Sequence, residues 1–205
     1  MSPGGGFMGV SEKKLAKKVK MIDAAYNLFL EKGVNITAID DVVKKAGVAK
    51  GTFYLYFKDK YDLLDQIVIS KSEAIVKIAV NALRKKREEI KMTPADEINF
   101  FTDRIIDCMM DNKELAALIH KNLSACFDVV LSDGGSAIRE ELKEVVGIMM
   151  TTGISERSAL IHLYMFTGMI GSACFDAVVK NTPFTVDELR PEIHTMVNKL
   201  MEGES

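Results

Sequence analysis

No stretch of the sequence alternates apolar and polar residues with period two over a useful length, and tryptophan is absent. The first absence removes half-buried β-strands, because a strand with one face on a core needs that alternation. Cysteine is scarce: Cys108, Cys126 and Cys174 form an odd set at wide spacing, with no CxxC pair and no secretory signal at the N-terminus. That excludes a disulfide-framed secreted domain and makes a reduced cytoplasmic protein the expectation. His120, His162 and His194 stand alone, and His120 and Cys126 lack metal-ligand spacing, so neither a metal nor a cofactor is expected. A nucleophile elbow, an HExxH pair and a phosphate-binding loop are all missing, which leaves an α-helical enzyme without support.

What is present is a hydrophobic content of 48% in 205 residues, enough for one or two packed domains. The formal net charge is only −2, yet it is unevenly shared. Residues 1–60 hold 11 lysines against 6 acids, and residues 61–205 hold 16 basic groups against 23 acidic ones. A basic head on an acidic body points to a polyanion as partner of the head alone.

Apolar residues recur at three and four positions nearly throughout, so the chain reads as all-α with about nine helices. Residues 1–10, with their SPGGG run, read as a flexible leader in which Met8 is a second candidate start. A head over 11–60 and a helical body over 61–205 follow. The first helix is expected from Ser11 to Lys32, with Ile22, Ala25, Tyr26 and Phe29 on one face and Gly33 as its stop. Its first turns hold Lys13, Lys14, Lys17, Lys18 and Lys20. Thr37, with Asp40 three residues on, is expected to cap a second helix that buries Ile39, Val42, Val43 and Ala46 and ends at Gly47. Only two residues then precede a new helical turn at Lys50, so the two helices must meet steeply, as in a helix-turn-helix.

Asp59 is placed to cap a long fourth helix, residues 60–91, whose stripe is Leu64, Ile67, Val68, Ile75, Ile78, Ala79 and Ala82. Thr93-Pro94 starts a fifth through Met110, and Asn112 a sixth to about Val130. Residues 132–135 form the clearest break. Helices over 136–150, ended by Gly153, over 155–180, and over 185–201 behind a Thr185–Glu188 capping box complete the body.

The chemistry concentrates on residues 50–57. At 100° per residue, Phe53 and Phe57 share the side that faces Val48 and Ile39, while Gly51 and Leu55 fall opposite, flanked by Thr52 and Tyr54. Gly51 lets the backbone approach a groove, Leu55 suits a thymine methyl, and Thr52 can bond a base edge or phosphate. Lys50 lies at the start of the helix. Phosphate anchors fix register around such a reader, and Thr37, Tyr54, Tyr56, Lys58 and Lys60 surround it. Taken singly, the two tyrosines read as half-buried packing residues and the lysines of the first helix as a solvated face.

Taken together, AGVAKGTFYLYFKDKYDLL resembles the most specific stretch of the tetracycline-repressor (TetR) family of bacterial transcriptional regulators. The resemblance covers about a quarter of the chain and falls on Thr37, Gly47, Lys50, Gly51, Thr52, Tyr54, Tyr56, Phe57 and Lys60. It implies a DNA-binding head, a double-stranded operator, a homodimer formed by the last two helices (here residues 156–181 and 186–201) and a small-molecule inducer held in the body. One departure matters. Where the family usually has a small hydroxyl residue that caps the reading helix, this chain has Ala49.

In the body, residues 158–175 contain no Lys, Arg, Asp or Glu. The length suits a membrane span, but Ser158, His162, Thr167, Ser172, two glycines and flanking Arg157 and Asp176 favour burial on all sides in protein. Such burial needs two partners, the chain's own body and a second copy. Gly168, Gly171 and Ser172, with Phe175, form the small face for that copy. Methionines and aromatics are concentrated in the body, and by themselves read as ordinary core. The resemblance adds the expectation of a ligand pocket lined from Phe100, Phe101, Met109, His120, Phe127, Met149, Tyr164, Met165 and Met169. Asp103 and Asp107 share a helix face and read as solvated acids, with a cation or metal as the rarer alternative.

The expected function is therefore a repressor released from a palindromic operator by a hydrophobic or amphipathic compound, a cationic one included. The alternative is a DNA-binding protein of the same fold without an inducer, its body serving dimerisation or protein docking.

Overall fold

The computed structural model describes residues 10–122 and 137–202. The leader, the expected break at 132–135, the end of the sixth helix, Cys126, Phe127 and Asp128 lie outside the described residues. Within them the chain is helical without strands. It divides into two compact units at Ile67–Val68, two turns into the fourth helix rather than at its start.

In the head, α1 (Val10–Lys32), α2 (Ile39–Ala46) and α3 (Lys50–Phe53) close around Met21, Leu28, Phe29, Val42, Phe53 and Phe57, all buried. The α1–α2 connection differs from expectation by one residue. Ala38, not Thr37, occupies the cap position of α2, and the Asp41 carboxylate, not that of Asp40, accepts the Ala38 N–H at 3.1 Å. The Thr37 hydroxyl turns inward and donates to the Gly33 carbonyl at 2.8 Å, leaving the residue 1% exposed. Lys32 reaches Asp41 at 2.6 Å, and this bond first, then the Ala38 N–H, holds the Asp41 carboxyl below the usual carboxylate value.

Helix α4 (Lys60–Glu89) starts as expected: Asp59 accepts the N–H groups of Tyr61 and Asp62 at 2.7 and 3.0 Å. Its leading turns, with Leu63, Leu64 and Ile67 buried, belong to the head. Farther on, the buried positions are Ala79, Val80 and Leu83, whereas Ile78 is 51% exposed and falls off the expected stripe.

The body comprises α5 (Pro94–Asp111), α6 (Lys113–Lys121), α7 (Ala137–Met150), α8 (Glu156–Phe175), continued by a wider π turn over Asp176–Lys180, and α9 (Val186–Met201). Local capping sets most of these starts. Thr93 and Asp96 exchange bonds in a capping box ahead of Pro94, Thr185 and Glu188 do the same, and Ser155 accepts from Ser158 N–H.

Two ionic clamps tie the helices. Arg87 of α4 grips both oxygens of Glu97 at 2.7 Å each and reaches Glu144 of α7 at 2.5 Å. Arg190 of α9 bridges Asp103 and Asp107 of α5, and His194 sits 3.0 Å from Asp103. These two acids are thus spent inside the fold rather than left to solvent or to a ligand. Cys174 is fully buried, and burial pushes its thiol up to about 11, the state of an inert packing residue.

Helix α8 is long and apolar enough to cross a membrane, but it packs into the body's core through Ala159 and Cys174. It is one-sided within the chain, not buried all round: Ile161, Tyr164, Met165 and Met169 are exposed along one flank, with Gly168 and Ser172 among them. Phe175 departs from the expected intersubunit face. It is buried and stacks on His120 at 4.2 Å between ring centroids.

The capping boxes predict acid sensitivity. Hydrogen bonds from Thr93 hold Asp96 below the ordinary carboxylate value, and those from Thr185 do so for Glu188. A folded-state value below the unfolded one gives stability that is present above about pH 4 and is lost as pH falls through the folded value. Melting temperatures from pH 6 to pH 3 should therefore fall less steeply for Asp96→Asn with Glu188→Gln than for the native chain.

Candidate nucleic-acid interface

The α2–α3 turn is closed by a left-handed residue. Gly47 has φ +69°, and the Val48 N–H bonds the Val43 carbonyl at 3.0 Å, the Schellman pattern that ends a helix and reverses the chain. Ala49 is extended and offers no side-chain cap, so α3 begins without one. The α-helix proper is a single turn, shorter than the expected 50–57. Residues 54–57 continue as tight turns, with Leu55 N–H to Thr52 O at 3.2 Å and Tyr56 N–H to Phe53 O at 3.0 Å.

What holds this turn in place is aromatic. Phe53 and Phe57 are 0% and 2% exposed, with ring centroids 5.3 Å apart, and Tyr54 meets the Phe53 ring edge-on at 5.4 Å. Burying both phenylalanines inward sends the alternate positions outward. Leu55 is 79% exposed, Tyr54 and Gly51 are exposed, and Thr52 and Tyr56 are half-buried. An exposed leucine beside a glycine and a hydroxyl is a surface suited to base edges. A Cβ added at Gly51 would meet no atom within 4 Å, so the glycine leaves open space at this surface.

The cations around the turn differ in availability. Lys50 pairs with Asp40 at 2.8 Å on the surface, and this bond raises its pKa. Lys58 is exposed and makes no ion pair within 4.0 Å among the described residues, though its charge, after the Asp62 and Tyr61 N–H groups, helps hold the Asp59 carboxyl below its usual value. Lys60 is committed: its ammonium donates to the carbonyls of Val34 and Asn35 at 2.9 Å each and of Thr37 at 3.3 Å. An ammonium has three protons, and all three are used. Lys60 therefore staples the α1–α2 loop, and Thr37, whose hydroxyl is turned inward, is a structural residue too, against the expectation that both face phosphates. Neither the Lys32–Asp41 pair nor the Lys60 staple is marked by sequence spacing.

A family described as "Bacterial regulatory proteins, tetR family" matches residues 21–67, which contain this entire arrangement. Residues 21–67 belong to the tetR family. They are the chain's helix-turn-helix DNA-binding domain. A curated relative, the HTH-type transcriptional regulator YvdT of Bacillus subtilis, is 34% identical over 128 residues, 62% of this chain and 57% of its own length. The chain thus matches little more than half of that relative. The fold extends further. A TetR transcriptional regulator from Rhodococcus sp. RHA1 superposes with a TM-score of 0.63 at 19% identity, covering 95% of this chain and 100% of the other. FadR from Bacillus subtilis, solved with stearoyl-CoA, gives 0.54 at 19% identity over 91% and 99%.

The body contains a cavity of about 190 Å³. Phe101, Met109, His120, Met149 and Tyr164 of the expected set line it. Phe100 packs against the core instead, and Met165 and Met169 stand on the outer flank of α8, because the helix turns them away from the side that holds Leu163, Phe166 and Ile170. Gly171, expected at the intersubunit face, borders the cavity. Ser72, Ile75 and Val76 of α4 complete one wall.

Two lysines should separate experimentally. Lys58→Ala is expected to reduce the log–log salt slope of DNA binding by about 1. Lys60→Ala should leave that slope unchanged and destabilise the head by about 1 kcal/mol, from the lost charge-assisted bonds. Salt-titrated binding and thermal melting of the two variants check both.

Proposed function

We propose that this chain is a tetR-family DNA-binding transcriptional repressor that reads a palindromic operator as a homodimer and leaves it when a small apolar or amphipathic ligand fills the body. The observation that carries the reading is the outward set Gly51, Thr52, Tyr54 and Leu55 mounted on the buried Phe53–Phe57 pair. Leu55 and Thr52 read bases, Lys50, Tyr54, Tyr56 and Lys58 hold phosphates, and Thr37 and Lys60 position the loop beneath them. The five lysines at the start of α1 add positive charge to the same head.

The exposed flank of α8 supports the dimer. Apolar residues spread over three helical turns, with Gly168 and Ser172 among them, favour close approach of a second copy. Paired heads give paired half-sites about one helical turn or a multiple apart. The cavity supports ligand control over an inducer-free body, and the stearoyl-CoA complex of FadR, a protein of the same fold, supports an apolar tail as its occupant. Helix α4 begins in the head at Lys60 and supplies Ser72, Ile75 and Val76 to the cavity wall, so ligand and operator act on one helix. A tenfold loss of DNA affinity needs about 1.4 kcal/mol of coupling.

Fluorescence anisotropy at near-physiological salt, with the duplex upstream of the protein's own gene against a scrambled duplex, tests the reading. Tight binding to the first alone is expected. Equal weak binding, followed by an operator selection that enriches no palindrome, would overturn it.

The dimer has its own test. A Cβ at Gly168 meets nothing within 4 Å in the single chain, so Gly168→Arg should fold. Sedimentation should show it as a monomer, with operator affinity reduced at least tenfold.

A further inference from the structure

The cavity wall assigns the chemical class of its occupant. Among its described lining residues there is no Asp, Glu, Lys or Arg. A charged headgroup would lose its hydration without gaining an ion pair from these residues. Four described acids of the body are used elsewhere, Asp103 and Asp107 on Arg190, and Glu97 and Glu144 on Arg87.

The wall is not wholly apolar, however. Thr167 lines it, but its hydroxyl donates to the Leu163 carbonyl at 2.7 Å. Thr102 lines it from α5, is 8% exposed, and its hydroxyl has no hydrogen-bond partner among the described residues. A threonine inside a helix ordinarily bonds the carbonyl one turn back, as Thr167 does. The Thr102 oxygen is not among the fully enclosed side-chain atoms that lack a partner, so it stays accessible to a small molecule in the cavity. His120 presents a second polar edge. Its ring is fixed flat against Phe175, at 4.2 Å and 7° between planes, and neither ring nitrogen is hydrogen-bonded among the described residues.

We propose that the cavity binds an uncharged amphiphile: a short aliphatic chain carrying one neutral oxygen acceptor, such as an ester or ketone, which the Thr102 hydroxyl and the His120 imidazole hydrogen-bond. This deepens the ligand-controlled reading above and rests on it for its regulatory meaning, though not for binding itself. The volume of about 190 Å³ is somewhat larger than the ~150 Å³ cavity that admits benzene, which sets the scale at six to nine heavy atoms. Met109 and Met149 in the wall give longer chains room by changing rotamer.

The test uses methyl hexanoate, hexane, hexanoate and hexylammonium, added at pH 8 to the full chain labelled with ¹³C at its methionine methyls. Met109 and Met149 report the cavity, and Met165 and Met169 report the outer flank. Methyl hexanoate is expected to shift the first pair and not the second, and to bind at least tenfold more tightly than either charged probe. Thr102→Val, which keeps the side-chain shape, should weaken methyl hexanoate about fivefold and leave hexane equal or tighter. His120→Phe should weaken the ester likewise.

A charged probe that occupies the cavity as tightly as the ester would overturn the assignment. So would an ester-to-hexane ratio unchanged in both variants. Operator release, followed in parallel, separates the two readings: ester bound in the cavity with DNA affinity unchanged sinks ligand control and leaves the class standing. Release by the cation alone does the reverse.

Discussion

Phe53 and Phe57 lie four residues apart with both rings out of solvent, and the outward face of residues 50–57 exists because of them. A helix of one turn has almost no stability of its own, since nucleation fixes several dihedrals for a single hydrogen bond. This one also lacks an N-cap, because Ala49 has no side-chain acceptor. The order of residues 50–57 is therefore borrowed from the core through two aromatic anchors, each contributing on the order of 3 kcal/mol. Gly47 supplies the left-handed reversal that aims them, and the Lys60 staple holds the loop on the other side of α2.

What was legible in the sequence was local. Thr93-Pro94, Thr185 with Glu188, and Asp59 declare their helices because both partners of each cap lie within three residues. The facing of residues 50–57 was also legible, since a 100° step with two phenylalanines leaves one solution. At the α1–α2 loop the same reasoning slipped by one residue. Thr37 and Asp40 carry the cap signal, but the Gly33 carbonyl takes the Thr37 hydroxyl and Asp41 takes the role of Asp40. Two equivalent acids in sequence are separated only by where Lys32 stands.

The errors in the body share a cause. Helical period sorts residues into faces without saying which face is inside. On α8 the pattern points Met165 and Met169 at the cavity and Phe175 at a partner, whereas in the fold both methionines are exposed on the outer flank and Phe175 is buried against His120. Long-range charge is equally silent in sequence. Asp103 and Asp107 looked solvated until Arg190, more than 80 positions away, was found between them.

The division of labour within one turn of helix has an evolutionary consequence. Leu55 takes no part in holding α3 to the core, unlike Tyr54 with its ring against Phe53 and the half-buried Thr52, so Leu55 can be exchanged with little penalty to folding. On the proposed reading, a lineage carrying this head can change its base preference at the Leu55 position without first accumulating stabilising mutations elsewhere. The same head can thereby come to govern different genes while its interior stays unchanged.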